Sequence, residues 1–103
     1  MATRPAPLAY EDRVEPRDTT LYRARLVSDD GGWRHATVVN VSPNGFMVRC
    51  DAPLEPGARV TITLPVVGAF VAEVRWALGG RIGCRLDREV PPALYQFMLA
   101  AMR

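Results

Sequence analysis

RVTITLPVVGAFVAEVRW, residues 59–76, decides the fold class of this 103-residue chain. In its first part Val60, Ile62 and Leu64 fall on one side, with Thr61 and Thr63 on the other. After Pro65, residues Phe70, Ala72, Val74 and Trp76 alternate with Val71, Glu73 and Arg75. Successive side chains of a strand point to opposite faces, so an apolar period of two marks half-buried β-strands. Phe70 and Trp76 are expected on the core side.

The same period extends outward in both directions. Toward the N-terminus, Tyr22, Ala24 and Leu26 alternate with Arg23 and Arg25, and SDDGG at 28–32 supplies a hairpin turn whose glycines accept positive φ. Residues 33–42 read as a long second strand and 45–50 as a third, with SPNG between them. PLEPG at 53–57 is a loop, LGG at 78–80 a turn, and Ile82, Cys84 and Leu86 alternate with Arg81, Gly83 and Arg85 in a last strand. Six short antiparallel strands are enough to close, or nearly close, a small barrel and leave few open edges. The expected fold is an all-β, six-stranded antiparallel barrel.

Both ends depart from this pattern. Residues 1–20 hold Pro5, Pro7 and Pro16 and few periodic apolar positions, which predicts a flexible, extended N-terminal arm. In PPALYQFMLAAM, residues 91–102, the period changes: Leu94, Phe97, Met98 and Ala101 follow the spacing of a helix face, and Pro92 suits a first helical turn. The expected organisation is an arm over 1–20, a barrel over 21–90, and a C-terminal helix over 91–103 that packs on the barrel.

Composition narrows the function classes. At 49% hydrophobic and 23% charged the chain is an ordinary globular one. It has no run of about 20 apolar residues, so no membrane insertion is expected, and its start lacks the apolar segment of a secretory signal. A cytoplasmic location follows as an expectation, in keeping with Cys50 and Cys84 read as separate buried thiols. His35 is the sole histidine and is expected at an exposed or edge position; with two distant cysteines it makes no metal-ligand set. Neither a catalytic constellation nor a phosphate-binding glycine motif is present, so no enzyme, metal or cofactor is expected. The net charge of +2 is too small for a general nucleic-acid binder, and single-stranded polymers need exposed aromatics along a basic groove. A binding module remains.

Two runs carry the binding chemistry. NVSPNG at 40–45 contains a strong turn signal and can be a bare turn; but Asn40 and Ser42, two apart on a strand, share a face, where a carboxamide and a hydroxyl can meet a base edge beside Gly45. DRVEPR at 12–17 can be a solvated, mixed-charge segment; but Pro16 disfavours a helix there, and in an extended arm Arg13 and Arg17 lie about 12 Å apart. Guanidinium forks so spaced can grip separate parts of a nucleotide by phosphate or by guanine O6 and N7.

Together, RVEPR at 13–17 and NVSPNG at 40–45 resemble the R-x-x-x-R and [D/N]-x-S-x-x-G elements of PilZ domains. A Leu-x-x-Gly turn at 54–57, Val-x-Trp at 74–76 and Gly-x-x-Leu at 83–86 extend the resemblance over about residues 11–90. Position 12 is Asp where many members carry another arginine, and Asn40 is the less frequent of the two residues its position takes. The resemblance implies a six-stranded barrel and, as ligand, the bacterial second messenger cyclic di-GMP. It places Arg13 and Arg17 on phosphates and guanine faces, with Asn40, Ser42 and Gly45 receiving a guanine. It implies a stand-alone receptor that signals through an unidentified effector protein in motility or biofilm regulation. The alternative is a PilZ-like adaptor that binds a protein with weak or no nucleotide affinity.

Overall fold

Changes of chain direction fall where the sequence supplies turn residues. The computed structural model describes residues 15–103. Strand β1 (Asp18–Ser28) leads through residues 29–32 into β2 (Trp33–Ser42), with Gly31 at φ +88°. The Asp30 carboxylate accepts hydrogen bonds from the Gly32 N–H at 2.9 Å and the Ser28 hydroxyl at 2.8 Å, which hold its carboxyl below the ordinary carboxylate value. Residues 43–44 turn the chain into β3 (Gly45–Arg49), and a longer loop leads to β4 (Arg59–Leu64). Strand β5 (Gly68–Leu78) and β6 (Arg81–Leu86) are joined by Gly79 and Gly80, both at positive φ, which suits a two-residue hairpin.

These strands form one closed antiparallel barrel in the order β1-β2-β3-β6-β5-β4, with β4 pairing back onto β1. The expected six-stranded barrel is thus the observed one. Its interior is filled from every strand by Leu26, Val38, Val41, Phe46, Val48, Ile62, Phe70, Val74 and Ile82, all at most 3% exposed. Burying each such side chain contributes about 1.5–3 kcal/mol relative to leaving it in water. Strand β1 begins at Asp18, earlier than the arm boundary placed at residue 20, because Thr20 is already buried and its hydroxyl donates to the Val38 carbonyl at 2.9 Å.

Three irregularities interrupt the period of two, and each re-aims side chains. In β2 the register against β3 shifts between Val38 and Asn40. Val38 and Val41 therefore both face the core, while Asn40 and Ser42 turn away from it. In β5 the register shifts between Val74 and Trp76, so Trp76 pairs with Gly83 and stands on the outside, 40% exposed. The expected core position of Trp76 is thus corrected by a bulge that no alternation reveals. A third shift lies in β1 between Thr19 and Tyr22.

Helix α1 (Pro92–Met102) follows Val90, which is fully buried, and packs against β1. Its buried face is Tyr95, Met98, Leu99 and Met102. Of the expected face only Met98 is buried; Leu94 and Phe97 are exposed, the latter by 65%. The two faces have the same helical spacing and both are apolar, so periodicity alone does not separate them. A polar anchor does: the Tyr95 hydroxyl donates to Asp18 Oδ2 at 2.7 Å and lies 3.2 Å from the Val41 carbonyl oxygen. No helix among the described residues is long and apolar enough to cross a membrane.

Candidate functional site

The bulge in β2 assembles the site. By turning Asn40 outward it places that carboxamide on one row with Thr19 of β1, Met47 of β3 and Gly83 of β6, with Trp76 of β5 completing the row. A second outward row, at the end of β2, runs through Ser42, Gly45, Arg85 and Glu73. Side chains from five strands thereby face one patch of the barrel wall.

The chain that enters β1 lies against this patch. Arg17 Nη1 donates to Asn40 Oδ1 at 3.1 Å, joining residues 23 apart in sequence. The carboxylate of Glu15 is held by two donors: Ser42 Oγ–H to Oε1 at 2.7 Å and Asn44 Nδ2–H to Oε2 at 2.9 Å. Ser42 is 1% exposed under this contact, with the Gly45 carbonyl oxygen a longer 3.4 Å from its Oγ. Arg17 and Asn40 are thus brought together, and Ser42 is brought to Glu15 instead. Arg13 lies outside the described residues.

Gly45 has a packing role. A Cβ there would sit 2.7 Å from the Cys84 carbonyl oxygen, a backbone atom of β6. Its φ is not positive, so the constraint is the closeness of two strands, with no left-handed conformation involved. The Asn44 carbonyl accepts from the Leu86 N–H at 2.8 Å, which clamps the turn to β6 and fixes the position of the Asn44 side chain.

Trp76 extends the patch on the far side of Met47. A Cβ on Gly83 would lie 2.2 Å from the indole Nε1 and 2.3 Å from Cε2, so the ring covers a position that only glycine leaves open. The arrangement combines the Arg17 and Arg85 guanidinium groups, the Asn40 and Asn44 carboxamides, the Thr19 and Ser42 hydroxyls, the Glu15 and Glu73 carboxylates and an exposed indole on one wall. Such a set can hydrogen-bond a base edge, pair with phosphate and offer a surface for stacking. Among the described residues no group of His, Cys, Asp and Glu side chains is placed to hold a metal ion. His35 is exposed, with its ring edge-on to Trp33 at 5.4 Å, and Arg25 stacks over that indole at 4.5 Å.

The PilZ domain model matches residues 11–99. The chain belongs to the PilZ family. PilZ domains are a non-catalytic receptor family that generally binds cyclic di-GMP. A comparison with curated proteins finds no match.

Within this PilZ domain, sequence reasoning missed Glu15, Asn44, Met47 and Trp76. Glu15 and Asn44 sit inside the two quoted elements, at positions the pattern leaves open. For Trp76 one signal was present: a glycine inside a strand often marks the close approach of another group, and Gly83 does so here.

Proposed function

We propose that this PilZ domain is a cyclic di-GMP receptor that acts through a protein partner. The observation that carries this reading is the Arg17–Asn40 hydrogen bond, at 3.1 Å, because it joins the arginine element to the polar strand element on one face of the barrel. Arg13 and Arg17 would take phosphates and guanine faces, and Asn40, Ser42 and Gly45 would line the position of one guanine. The exposed Trp76 indole adds a stacking surface three strands from Asn40. Charge-assisted contacts to the phosphates and guanines would supply the affinity. The output of such a receptor is a contact: the bound nucleotide creates a surface that the free protein lacks.

Calorimetric titration with cyclic di-GMP at physiological salt, with GMP as control, tests the proposal. Saturable binding at micromolar affinity or tighter, absent with GMP, is the expected result. A flat titration by folded protein would overturn it. That outcome favours the second reading, an adaptor with weak or no nucleotide affinity, for which the Glu15 carboxylate on Ser42 is the supporting observation.

A further inference from the structure

Beyond the two rows of the site the barrel wall carries a third. It runs from Arg23 of β1 through Thr37 of β2, Arg49 of β3 and Arg81 of β6 to Leu78 of β5. All of these except Thr37 are exposed. Toward the β1–β2 hairpin, Arg25 pairs with His35 and Val27 with Trp33. None of these positions holds a carboxylate, and Asp29, Asp30 and Asp51 lie beyond the strand ends. Among the described residues Arg23, Arg25, Arg49 and Arg81 make no ion pair, whereas Arg59 pairs with Asp87 and Arg103 with Asp18.

Indole faces border these guanidinium groups. Trp33 is 52% exposed; Arg25 lies over its ring at 4.5 Å and His35 meets it edge-on at 5.4 Å. The cation on one face holds the indole in place. At the far end of the row Trp76, two residues before Leu78 on the outward face of β5, adds a second indole. We infer that this wall binds a single-stranded nucleic acid, with phosphates held by Arg23, Arg49 and Arg81 and bases stacked on Trp33 and Trp76.

The chemistry of the wall selects this occupant. Guanidinium groups donate and never accept, so they match a ligand rich in anionic acceptors. A phospholipid surface or an acidic protein side chain answers the arginines but offers no flat ring to the indoles, and a duplex hides its base faces by pairing and stacking. An unpaired strand presents repeating phosphates and free base faces together. The exposed aromatics that such a binder needs are present because the bulge after Val74 turns Trp76 outward. The net charge of +2 averages this wall with acids placed elsewhere, and phosphates respond to the local field. Four strand steps of about 4.8 Å make the row an arc of about 19 Å, room for about four nucleotides, the lower end of the range for OB-fold barrels. Apart from Trp76, which borders both, this surface lies outside the rows assigned to the cyclic dinucleotide, and the inference does not depend on that reading.

The test is fluorescence anisotropy of labelled oligouridine and oligothymidine, each of about 12 nucleotides, with the whole chain at about 50 and 200 mM salt. Wild type should bind both with a Kd of about 1–100 μM near physiological salt, and the logarithm of the affinity should fall against that of salt with a slope of about −2, for three phosphates at about −0.7 each. Arg49→Ala and Arg81→Ala should each weaken binding and make the slope shallower by about 0.7. Trp33→Ala should weaken binding by roughly tenfold and leave the slope unchanged. Arg59→Ala, away from the row, should stay within about twofold of wild type. Urea midpoints of the same variants separate lost binding from lost fold.

No binding by folded wild type at the lower salt overturns the inference. Equal losses from Arg59→Ala and Arg49→Ala mean diffuse attraction and overturn the assignment of the row. Wild-type affinity in Trp33→Ala, or a duplex of the same length bound as tightly as the single strand, overturns base stacking and with it the single-stranded occupant. Cyclic di-GMP titrations are read separately: Arg49→Ala and Arg81→Ala should leave them unchanged, so failure of either reading leaves the other standing.

Discussion

Trp76 covers Gly83: the indole Nε1 lies 2.2 Å from where a β-carbon on that glycine would be. The ring sits outside the barrel because of the bulge after Val74, and the missing side chain on β6 gives it a place to lie. Gly83→Ala should therefore push the indole off the wall while leaving the strands paired, since the obstructing atoms belong to a side chain that can turn. The expected outcome is a shift in tryptophan fluorescence and weaker cyclic di-GMP binding, with a stability loss of about 1 kcal/mol. Trp76→Ala should match its binding defect. An alanine variant with wild-type fluorescence would show that the ring does not depend on the glycine.

Gly45→Ala should behave differently although the two glycines look alike in sequence. Here the obstructing atom is the Cys84 carbonyl oxygen, at 2.7 Å, and it belongs to the backbone of a neighbouring strand. The strands must move apart, so destabilisation of about 1–3 kcal/mol is expected. Urea unfolding reads it as a lower midpoint with an unchanged slope. A midpoint within error of wild type would refute the packing role.

Arg17 and Arg25 separate specific from diffuse electrostatics. Arg17 donates to Asn40 within the site, whereas Arg25 stacks on Trp33 at 4.5 Å elsewhere on β1. Arg17→Ala should cost roughly tenfold or more in cyclic di-GMP affinity, and Arg25→Ala less than about twofold. Equal losses would mean that the nucleotide senses net charge alone.

These contrasts show where the sequence was legible. Strict alternation in residues 59–64 and 81–86 fixes which side chains enter the core, and the barrel follows from it. Bulges defeat the same reading. Trp76 keeps the apolar parity of Phe70, Ala72 and Val74, yet faces water, because one extra residue shifts its register and nothing in its identity announces this. The spacing of Asn40 and Ser42 puts them on one face of β2, whereas the register shift between Val38 and Asn40 that turns this face outward is not readable from the sequence. In α1 two apolar stripes of equal period compete, and the choice is made by a hydrogen bond from Tyr95 to Asp18, 77 residues away. Glu15 on Ser42 is a contact of the same long-range kind.

Alkaline pH should destabilise the fold through two buried acids. Burial, assisted by the nearby Cys50, pushes the Cys84 thiol from its ordinary 9.0 up to about 12. Burial, then the hydrogen bond to Asp18, raises the Tyr95 phenol above its ordinary 10.0. Both groups stay neutral in the folded protein at pH values where the unfolded chain ionises, so the unfolded state binds fewer protons there. Stability is then fully present below about pH 9 and falls as pH rises toward 12, by at most about 1.4 kcal/mol per pH unit for each group. Denaturant midpoints across pH 7–11 check the sign. Iodoacetamide should leave Cys84 unmodified at pH 8 until the protein is unfolded. Rapid alkylation in the native state would contradict its burial.

Val66 is the one non-glycine residue at positive φ among those described, at +73°. It is the middle residue of a three-residue turn between β4 and β5, in which the Val67 N–H donates to the Pro65 carbonyl at 2.7 Å. This hand of γ-turn is rare and strained, and a β-branched side chain tolerates it least. The side chain is 57% exposed, so little packing offsets the strain. Asparagine accepts the left-handed region more readily, and Val66→Asn should stabilise the barrel by about 1 kcal/mol. For a domain of this size that is a rise of roughly 4–8 °C in Tm. Glycine at the same position should gain less, because its unfolded chain has more freedom to lose. The turn lies outside the two rows of the proposed nucleotide site, so cyclic di-GMP affinity should not change. A lower Tm in Val66→Asn would mean that the valine side chain makes stabilising contacts that its exposure does not reveal, and would overturn the strain argument.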